Sequence, residues 1–483
     1  MKIKGLRWIV LALIAVVTII NYLDRGTLNY MWVANTKVVC AAGDYTYDAA
    51  ADTYAVESGG KALTLAGDEV TKLPDGAIEY VKYGGIAKEL GLIDASASAE
   101  EQQRQAKNLL AVITMFFMVA YGVSQLVSGK IYDRIGTRRG FTLSAILWGG
   151  ADALASLASG LKSLTFFRVL LGLGEAGPWP GTTKSNAEWF PQKERALAQG
   201  VFGAAASVGS IIAPVLIPML FLAFGWRVTF AVVGSLGIIW VIPWLIINKK
   251  GPKEHPWITE KERDYILTGQ PECRVSCDTA KSWGTLLSER KNYAVILGRF
   301  FLDPIWWMFV TWLPIYLIEV FNLDIKQIAM SAWVPYVGAA IGSVAGGWFS
   351  GLLINHGKTV NFARKAAMIV GSCFIIPGMA LAATASSATM AVIMMAFILG
   401  GYQFVMTNIQ TLASDLQTGK AVGSLAGLGG ASAVLGTIIS ILCIPYLTQS
   451  GDWTSFFILG AALVPACLLC VFLFGGRIEQ LSK

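Results

Sequence analysis

Four charged side chains lie inside strongly apolar stretches of this 483-residue chain. Asp24 and Arg25 interrupt the first stretch, and Arg168 and Glu175 interrupt a later one. A charge near the centre of a bilayer costs about 2.5–3.5 kcal/mol on insertion scales, so such residues generally face a water-filled cavity and pair there. Arginine can grip a carboxylate through two parallel hydrogen bonds and stays charged when desolvated. These residue types therefore predict recognition of an anion.

The composition indicates that these charges lie inside a membrane protein. Hydrophobic residues make up 55% of the chain, charged residues only 14%, and the mean hydropathy is +0.57. Soluble domains average about 25% charged residues. Apolar runs of about 20 residues recur along the chain, and a helix of that length crosses ~30 Å of hydrocarbon. We therefore expect an all-α membrane protein with many spans.

Twelve apolar segments are candidate transmembrane helices. Basic or mixed-charge loops at 130–139, 192–195 and 356–365 all fall on one side of this arrangement, which predicts that this side and both termini are cytoplasmic. The same loops account for the net charge of +7 without a nucleic-acid partner. The segments are predicted to begin near Trp8, Asn108, Phe141, Leu164, Ala196, Val228, Ala294, Ile328, Ala366, Met390, Val422 and Ser455.

The chain divides into two predicted six-helix bundles. Residues 1–248 form the first, residues 249–292 a cytoplasmic linker, and residues 293–483 the second. A motif at 129–139 follows the second span, and a weaker counterpart at 351–365 follows the eighth. Two bundles repeated about an axis along the membrane normal are typical of transporters, whose site lies between the halves near the midplane.

The loop 36–107 is unusual because it separates two spans that should be neighbours. It is acidic and rich in Ala, Gly, Asp and Tyr, which favours an external location. Loops longer than about 15 residues are generally either functional or disordered, and the sequence leaves both readings open.

Several motifs resemble a known family. The segment Gly129-x-x-x-Asp-Arg-x-Gly-x-Arg-Arg139 is similar to the signature loop of the major facilitator superfamily. Three segments resemble the anion:cation symporters of organic and sugar acids: Asn21-Tyr-Leu-Asp-Arg25, Arg168 to Glu175, and Ala187-Glu-Trp-Phe-Pro-Gln-Lys-Glu-Arg195. Others resemble the hexuronate transporters: Lys4-Gly-Leu-Arg-Trp8, Arg299-Phe-x-x-x-Pro-x-Trp306, Trp312-x-Pro314, and Ile328-Ala-Met-x-Ala-Trp-x-Pro335. The resemblance covers nearly the whole chain except much of the loop 36–107, which family members usually keep short.

The resemblance implies that Asp24 and Glu175 couple transport to protons. Arg25 and Arg168 are the candidates for binding the substrate carboxylate, by the chemistry of the guanidinium group. A carboxyl group beside an arginine can gain or lose a proton as an anion enters, because both compete for the same cation. The alternative is that the four charges only form ion pairs that fix helix packing.

Other side chains are candidates for contact with the substrate. Tyr22 shares a motif with Arg25, and the second half supplies Trp306, Gln403 and Asn408 for a sugar ring and its hydroxyls. Amides in spans often only bridge helices, and tryptophans often belong to the interfacial belt. Additional candidates are Arg299 and Asp303, for which a structural ion pair is equally open, and Trp312, for which the interfacial belt is the favoured role.

The resemblance also implies a conformational latch between the halves on the cytoplasmic face. Its expected members all belong to the signature loop: Gly129, Asp133, Arg134, Gly136 and Arg138.

Together these features predict a proton-coupled symporter that imports a hexuronate such as galacturonate or glucuronate by alternating access. Import of one negative charge against a negative-inside potential costs roughly 2.3 kcal/mol per 100 mV, and one accompanying proton cancels that cost. Another organic anion, such as an aldonate or glucarate, is the alternative substrate. We expect a monomer in the cell membrane, in bacteria the inner membrane, with protons, the anion and lipid as partners and with no cofactor or metal.

Functions of other classes are less well supported by the sequence. An intramembrane enzyme would need a nucleophile–base set or a metal cluster, and both histidines, His255 and His356, fall in predicted cytoplasmic segments. A channel needs neither an internal repeat nor a proton-binding pair. A substrate-sensing receptor would bind the anion without accumulating it.

Overall fold

The computed structural model describes residues 2–32, 34–58, 61–67, 70–74, 76–94, 99–270, 281–321, 331, 333–448 and 453–479. Helices dominate these residues. They are α1 (Leu6–Trp32), α2 (Ile86–Glu89), α3 (Ala99–Ala155), α4 (Leu161–Glu175), α5 (Pro178–Trp189), α6 (Arg195–Ile247), α7 (Glu260–Thr268), α8 (Trp283–Ser288), α9 (Tyr293–Phe321), α10 (Val334–Asn355), α11 (Val360–Ala383), α12 (Ala388–Leu416), α13 (Val422–Leu447) and α14 (Thr454–Gly475).

Among the described residues, nine helices are long and apolar enough to cross a membrane. Two of them, α3 and α6, are each interrupted at a glycine with positive φ: Gly136 at 80° and Gly225 at 77°. A side chain with a Cβ is strained in that conformation, so glycine allows the sharp break. Helices α4 and α5 follow one another with only two residues between them, because Pro178 lacks the N–H that would continue the helix. With α3 and α6 each counted as two segments, and α4 with α5 as one broken span, the described residues contain twelve long helical segments, as predicted. The predicted start of the eighth at Ile328 lies outside these residues.

The apolar cores separate the chain into two halves. One large cluster of buried side chains is drawn from residues 294–478, whereas two others are drawn from residues 6–266. Each half thus buries its own helix faces, which is what two repeated bundles require.

Two helix pairs form most of the contact between the halves. Helix α3 packs against α13, and α6 packs against α10. Glycines let the backbones approach: a Cβ on Gly129 would lie 2.1 Å from the carbonyl oxygen of Gly423, and one on Gly347 would lie 2.2 Å from that of Ala196. Small residues are the usual means of close helix packing in membranes.

The segment between α1 and α3 folds into strands, which the sequence reading did not anticipate. Two three-stranded antiparallel sheets form, with orders β1-β6-β5 and β2-β3-β4. The strands are β1 (Ala34–Cys40), β2 (Tyr45–Asp48), β3 (Thr53–Ser58), β4 (Lys61–Ala66), β5 (Val70–Lys72) and β6 (Ile78–Gly84). The all-α prediction therefore holds for the spans but is wrong for this insertion, whose Tyr, Val and Thr residues favour strands.

The insertion is joined to the helices through α2. The indole N–H of Trp226 in α6 donates to Glu89 Oε2 at 2.6 Å. Ile86 and Ala87 of α2 are buried in the core of the first half. Helix α2 of the insertion thus packs against α1 and α6.

The described parts of the linker, residues 249–270 and 281–292, pack against both halves. Glu262 of α7 accepts hydrogen bonds from the backbone N–H groups of Gly5, Leu6 and Arg7, which begin α1. A carboxylate at this position satisfies orphan donors and complements the helix dipole. Glu289 accepts a hydrogen bond from Gln417 Nε2, at the end of α12. We call the end of the bundle that carries these contacts the linker face.

Candidate functional site

A cavity lies between the two halves. Together with the open solvent at its mouth, it has a volume of about 850 Å³. An apolar lining with a few polar groups is typical of small-molecule sites. Both halves contribute to its lining, in which the polar and aromatic side chains are Tyr22, Arg25, Tyr121, Gln125, Trp179, Arg299, Asp303, Trp306, Trp307, Tyr402, Gln403, Gln410 and Thr437.

Arg25 is the cation of the first half that reaches this cavity. Its Nε donates to Glu175 Oε2 at 2.9 Å, and the Glu175 side chain is fully buried. The guanidinium carbon lies 5.0 Å from the ring centre of Tyr22 and 5.1 Å from that of Tyr121. Glu175 ends α4 just before the break at Pro178, so the broken helix places the carboxylate beneath the arginine. One guanidinium nitrogen, Nη2, has no hydrogen-bond partner among the described residues.

Arg168 lies behind Arg25 rather than on the cavity wall. It is 5% exposed, and its Nη1 makes only a long 3.5 Å contact with the carbonyl oxygen of Arg25. It interacts electrostatically with Asp24, Glu175 and Asp152. Asp24 is fully buried and also lies away from the cavity lining. The structure therefore groups the four predicted charges, but only Arg25 of the four lines the cavity.

Asp152 is a buried carboxyl that the sequence reading missed. It lies on the second part of α3, is 1% exposed, and interacts electrostatically with Arg168 and Glu175. Its position in the apolar run that begins at Phe141 is the same signal that identified Asp24.

The second half supplies an aromatic wall and an ion pair. The rings of Trp306 and Tyr402 stack with centroids 5.8 Å apart, and Tyr336 packs edge-on against Trp306 at 5.7 Å. Arg299 and Asp303, one helical turn apart, pair at 3.0 Å as their spacing predicts. Both line the cavity.

The three remaining candidates of the second half lie in different places. Gln403 lines the cavity. Asn408 does not: it is fully buried, and its Nδ2 donates to the carbonyl oxygens of Gly346 and Phe404 at 3.1 and 3.0 Å. It therefore bridges α10 and α12. Trp312 packs against Trp453 and is also outside the cavity lining.

Several polar residues of the lining were not identified from the sequence. Gln125 is 2% exposed, and its Nε2 donates to the hydroxyl of Tyr121 at 3.0 Å. Gln410 accepts a hydrogen bond at 2.7 Å from Gln199, so it joins α12 to α6. Glutamine inside an apolar span is the signal that could have found both residues.

Asp133 of the signature loop joins the two halves at the linker face. Its carboxylate accepts hydrogen bonds from the backbone N–H of Gly423 at 3.0 Å and from the N–H and hydroxyl of Ser424 at 2.6 Å. These donors begin α13, where the helix dipole favours an anion. Lys184 of α5 pairs with the same carboxylate at 3.2 Å and donates to the carbonyl oxygen of Gly419 at 3.0 Å.

The other predicted latch residues lie near Asp133 but differ in their contacts. Gly129 forms the close approach to α13, and Gly136 forms the break in α3. Arg138 donates to the carbonyl oxygen of Leu245 within its own half, and Arg134 is exposed.

A second set of buried polar contacts crosses between the halves at α12. Arg364 pairs with Asp415 at 2.8 Å, and both side chains are fully buried. Arg364 Nη2 donates to the carbonyl oxygen of Gln192, and Arg195 Nη1 donates to that of Ser414 at 2.6 Å. The sequence pointed to Arg364 only as part of the weak repeat.

Comparison with known proteins agrees with this arrangement. The family model described as Major Facilitator Superfamily matches residues 81–428. The hexuronate transporter of Escherichia coli K12 is 29% identical over 94% of this chain and 91% of its own length. The galacturonate transporter of Dickeya chrysanthemi is 32% identical over 59% of this chain and 83% of its own. The D-galactonate transporter of Escherichia coli O6:H1 (strain CFT073) is 29% identical over 74% of this chain and 84% of its own length.

A solved structure supports the fold. The human organic anion transporter MFSD10 (TETRAN) superposes with a TM-score of 0.58 at 13% identity, covering 80% of this chain and 87% of that one. Together with the two six-helix halves and the central cavity, these matches identify a multi-pass membrane transporter rather than an enzyme. The chain belongs to the Major Facilitator Superfamily.

Proposed function

We propose that this transporter imports a sugar-acid anion, specifically a hexuronate such as galacturonate or glucuronate, together with protons. The observation that carries the proposal is the Arg25–Glu175 pair at the wall of a central cavity whose other wall is aromatic. Nη2 of Arg25 has no hydrogen-bond partner among the residues that the structure describes, so it can offer a second hydrogen bond to an incoming carboxylate. The hexuronate and galacturonate transporters among its relatives support the same class of substrate.

The geometry supports a binding mode. A substrate carboxylate can displace Glu175 from Arg25, because both are anions that compete for one guanidinium group. The sugar ring would then lie against Trp306 and Tyr402, with Gln403 and Gln125 able to bond its hydroxyls. The displaced Glu175 loses its counter-ion and is the group that exchanges a proton on substrate entry, together with Asp24.

The second candidate substrate is an aldonate or an aldarate. The D-galactonate transporter and a probable galactarate/D-glucarate transporter are 28–29% identical to this chain, which supports acids of these two classes as alternative substrates. An open-chain acid lacks the ring that the aromatic wall can cover, which favours the hexuronate.

Uptake into proteoliposomes tests the proposal. The panel is galacturonate, glucuronate, galactonate, glucarate and neutral galactose, each with and without an imposed pH gradient and a proton uncoupler. We expect hexuronate accumulation that the uncoupler abolishes. Equal uptake of galactose would contradict carboxylate recognition by Arg25, and full accumulation with the uncoupler would contradict proton coupling.

Alternating access accounts for the contacts between the halves. The contacts of Asp133 with α13, and those of Arg364 with Asp415 and Gln192, hold the linker face closed. The loop charges predict that this face is cytoplasmic, so the structure corresponds to the outward-facing state of the transporter. We place the protein in the cell membrane, bacterial inner membrane, as a monomer with both termini inside.

Replacing Gly129 with alanine should slow transport. The new Cβ would overlap a backbone oxygen of α13, so the closed linker face would be destabilised by about 1–3 kcal/mol. The measurement is the initial uptake rate, with an expected loss of about tenfold or more. Gly150→Ala, on the same helix with no atom within 4 Å of the new Cβ, is the control and should transport normally. Equal rates for the two variants would argue against closure through this contact.

Alanine substitutions of Asn408 and Gln403 should have different effects, the first on protein stability and the second on substrate affinity. Asn408→Ala removes two buried hydrogen bonds and should lower stability by about 1–3 kcal/mol without changing the KM for substrate. Gln403→Ala should raise the KM and leave the thermal unfolding temperature nearly unchanged. Thermal unfolding in detergent and uptake kinetics check both variants. A raised KM in a stable Asn408→Ala protein would return Asn408 to the substrate site.

A further inference from the structure

The ion pair of Arg299 and Asp303 is closed more completely than the pair that Arg25 forms. Arg299 Nε and Nη2 donate to the two carboxylate oxygens of Asp303 at 3.0 and 3.3 Å, so the carboxylate occupies one edge of the guanidinium group. Arg25 gives Glu175 one hydrogen bond from Nε, and its Nη2 has no partner within the described residues. Arg25 can therefore accept a further anion, whereas Asp303 already holds two nitrogens of Arg299.

The charges around the cavity balance one another. In the part of the chain that the structure describes, the charged members of the cavity lining are Arg25, Arg299 and Asp303. The buried Glu175 pairs with Arg25 and balances its charge. In the proposed binding mode, a substrate carboxylate takes Arg25 and Glu175 takes up a proton, so one anion leaves the net charge at zero. A second carboxylate on the same substrate would add a negative charge without a cation, which is costly in a buried site.

Asp303 lies beside the aromatic wall against which the sugar ring is proposed to lie. Asp303 and Trp306 are three residues apart on α9, so they share a face of that helix, and both line the cavity. The side chain of Asp303 is 13% exposed and that of Arg299 8%, so the carboxylate is the more accessible member of the pair. A carboxylate at this wall accepts a hydrogen bond from a hydroxyl group but repels another carboxylate.

The candidate substrates differ at the end that would meet this wall. A hexuronate carries one carboxylate, and the opposite side of its ring carries a hydroxyl group, which can donate to a carboxylate. An aldarate carries a carboxylate at each end. With one carboxylate of either substrate on Arg25, the other end extends toward the second half, which contributes Asp303 and Arg299 to the cavity.

We propose that Asp303 is a specificity-determining residue that, paired with Arg299, admits sugar acids with one carboxylate and excludes those with two. The inference rests on the proposed function and narrows its substrate class to monoanionic sugar acids. Arg299 is a positioning residue, because its two hydrogen bonds hold the Asp303 carboxylate at the cavity wall. Without the charge of Asp303, Arg299 would be a second available cation and would suit a dianion such as galactarate.

Calorimetric titration of the purified protein tests this selection by charge. The ligands are galacturonate, galactarate and the mono-amide of galactarate, in which a neutral amide replaces one carboxylate of the same open chain. We expect the unaltered protein to bind the mono-amide at least about tenfold more tightly than galactarate, because two facing carboxylates repel each other in a desolvated site. Since both of these ligands are open chains, the difference between them cannot arise from the sugar ring.

Substitution of Asp303 should weaken or reverse this preference. Asp303→Asn removes the negative charge but keeps the size of the side chain, so the affinity for galactarate relative to the mono-amide should rise at least about tenfold. Arg299→Gln with Asp303→Asn should show a smaller rise, because no cation is then available. Asp264→Asn is the control, since Asp264 is an exposed carboxylate of α7 that pairs with Arg263 and does not line the cavity. It should keep the ratio of the unaltered protein.

The outcomes distinguish the specificity of Asp303 from the proposed function. If the unaltered protein binds no sugar acid, the proposed function fails. If it binds galacturonate but binds galactarate at least as tightly as the mono-amide, or binds neither open-chain ligand, the selection by charge is wrong. A folded Asp303→Asn protein with the ratio of the unaltered protein would overturn it as well. Where that variant does not fold, the comparison of the two open-chain ligands on the unaltered protein decides.

Discussion

Replacing Arg25 with glutamine should abolish hexuronate uptake. The change removes the cation that lines the cavity and leaves Glu175 buried without its ion-pair partner. Removing one partner of a hydrogen-bonded charge pair formed on binding costs about 2–5 kcal/mol, so substrate affinity should fall roughly 30-fold or more. Substrate affinity by calorimetry and uptake in proteoliposomes measure the effect.

Two further variants show whether the cause is recognition or folding. Arg25→Gln with Glu175→Gln leaves no unpaired charge at the pair, so it should regain thermal stability but not binding. Arg25→Lys keeps the charge but loses the planar fork, and should bind more weakly than the unaltered protein. Arg227→Gln is the control, because Arg227 bonds the carbonyl oxygen of Ser156 and does not line the cavity. Normal uptake by Arg25→Gln would remove Arg25 from the substrate site.

Replacing Glu175 with glutamine should uncouple transport from protons. Glutamine still fills the space beside Arg25 but cannot release or accept a proton. Exchange of labelled for unlabelled substrate across the membrane needs no net proton movement, so it should persist. Accumulation driven by a pH gradient should fall at least about tenfold, since each pH unit supplies about 1.4 kcal/mol.

The two assays must be run on the same proteoliposomes. Glu89→Gln serves as the control, because its carboxyl group bonds Trp226 at the insertion and an amide oxygen can accept the same hydrogen bond. That variant should exchange and accumulate normally. Full gradient-driven accumulation by Glu175→Gln would exclude Glu175 from coupling.

Much of the site could be anticipated because a charge in an apolar run is conspicuous. Arg25 and Glu175 were found in this way, and the i, i+4 spacing of Arg299 and Asp303 correctly predicted their pairing. Distances between helices cannot be obtained in this way. Arg168 was predicted to bind substrate, yet packing places it behind Arg25 among three carboxyl groups. Asn408 has the same chemistry as Gln403 but lies on the part of α12 that faces α10.

The strands of the insertion could not be predicted from the sequence for a different reason. Its strands are short and contain many polar residues, so their alternation is weak beside that of the spans. Its first strand, β1, pairs with its last, β6, which is distant in sequence. Such pairings depend on how the ends of the segment are held, here by α1 and α3, and local pattern does not contain that information.

The sequence by itself determined that the chain spans a membrane in two related halves and places charges where lipid excludes them. Hydropathy and loop charge are local properties, and the bilayer forces every span to satisfy its own backbone hydrogen bonds. Only the tertiary structure decided which charges meet. It paired Arg25 with Glu175 at the cavity and left Arg168 behind them, near Asp24 and Asp152. The physical reason is that a buried charge depends on neighbours within a few ångströms, and helix packing alone sets those neighbours.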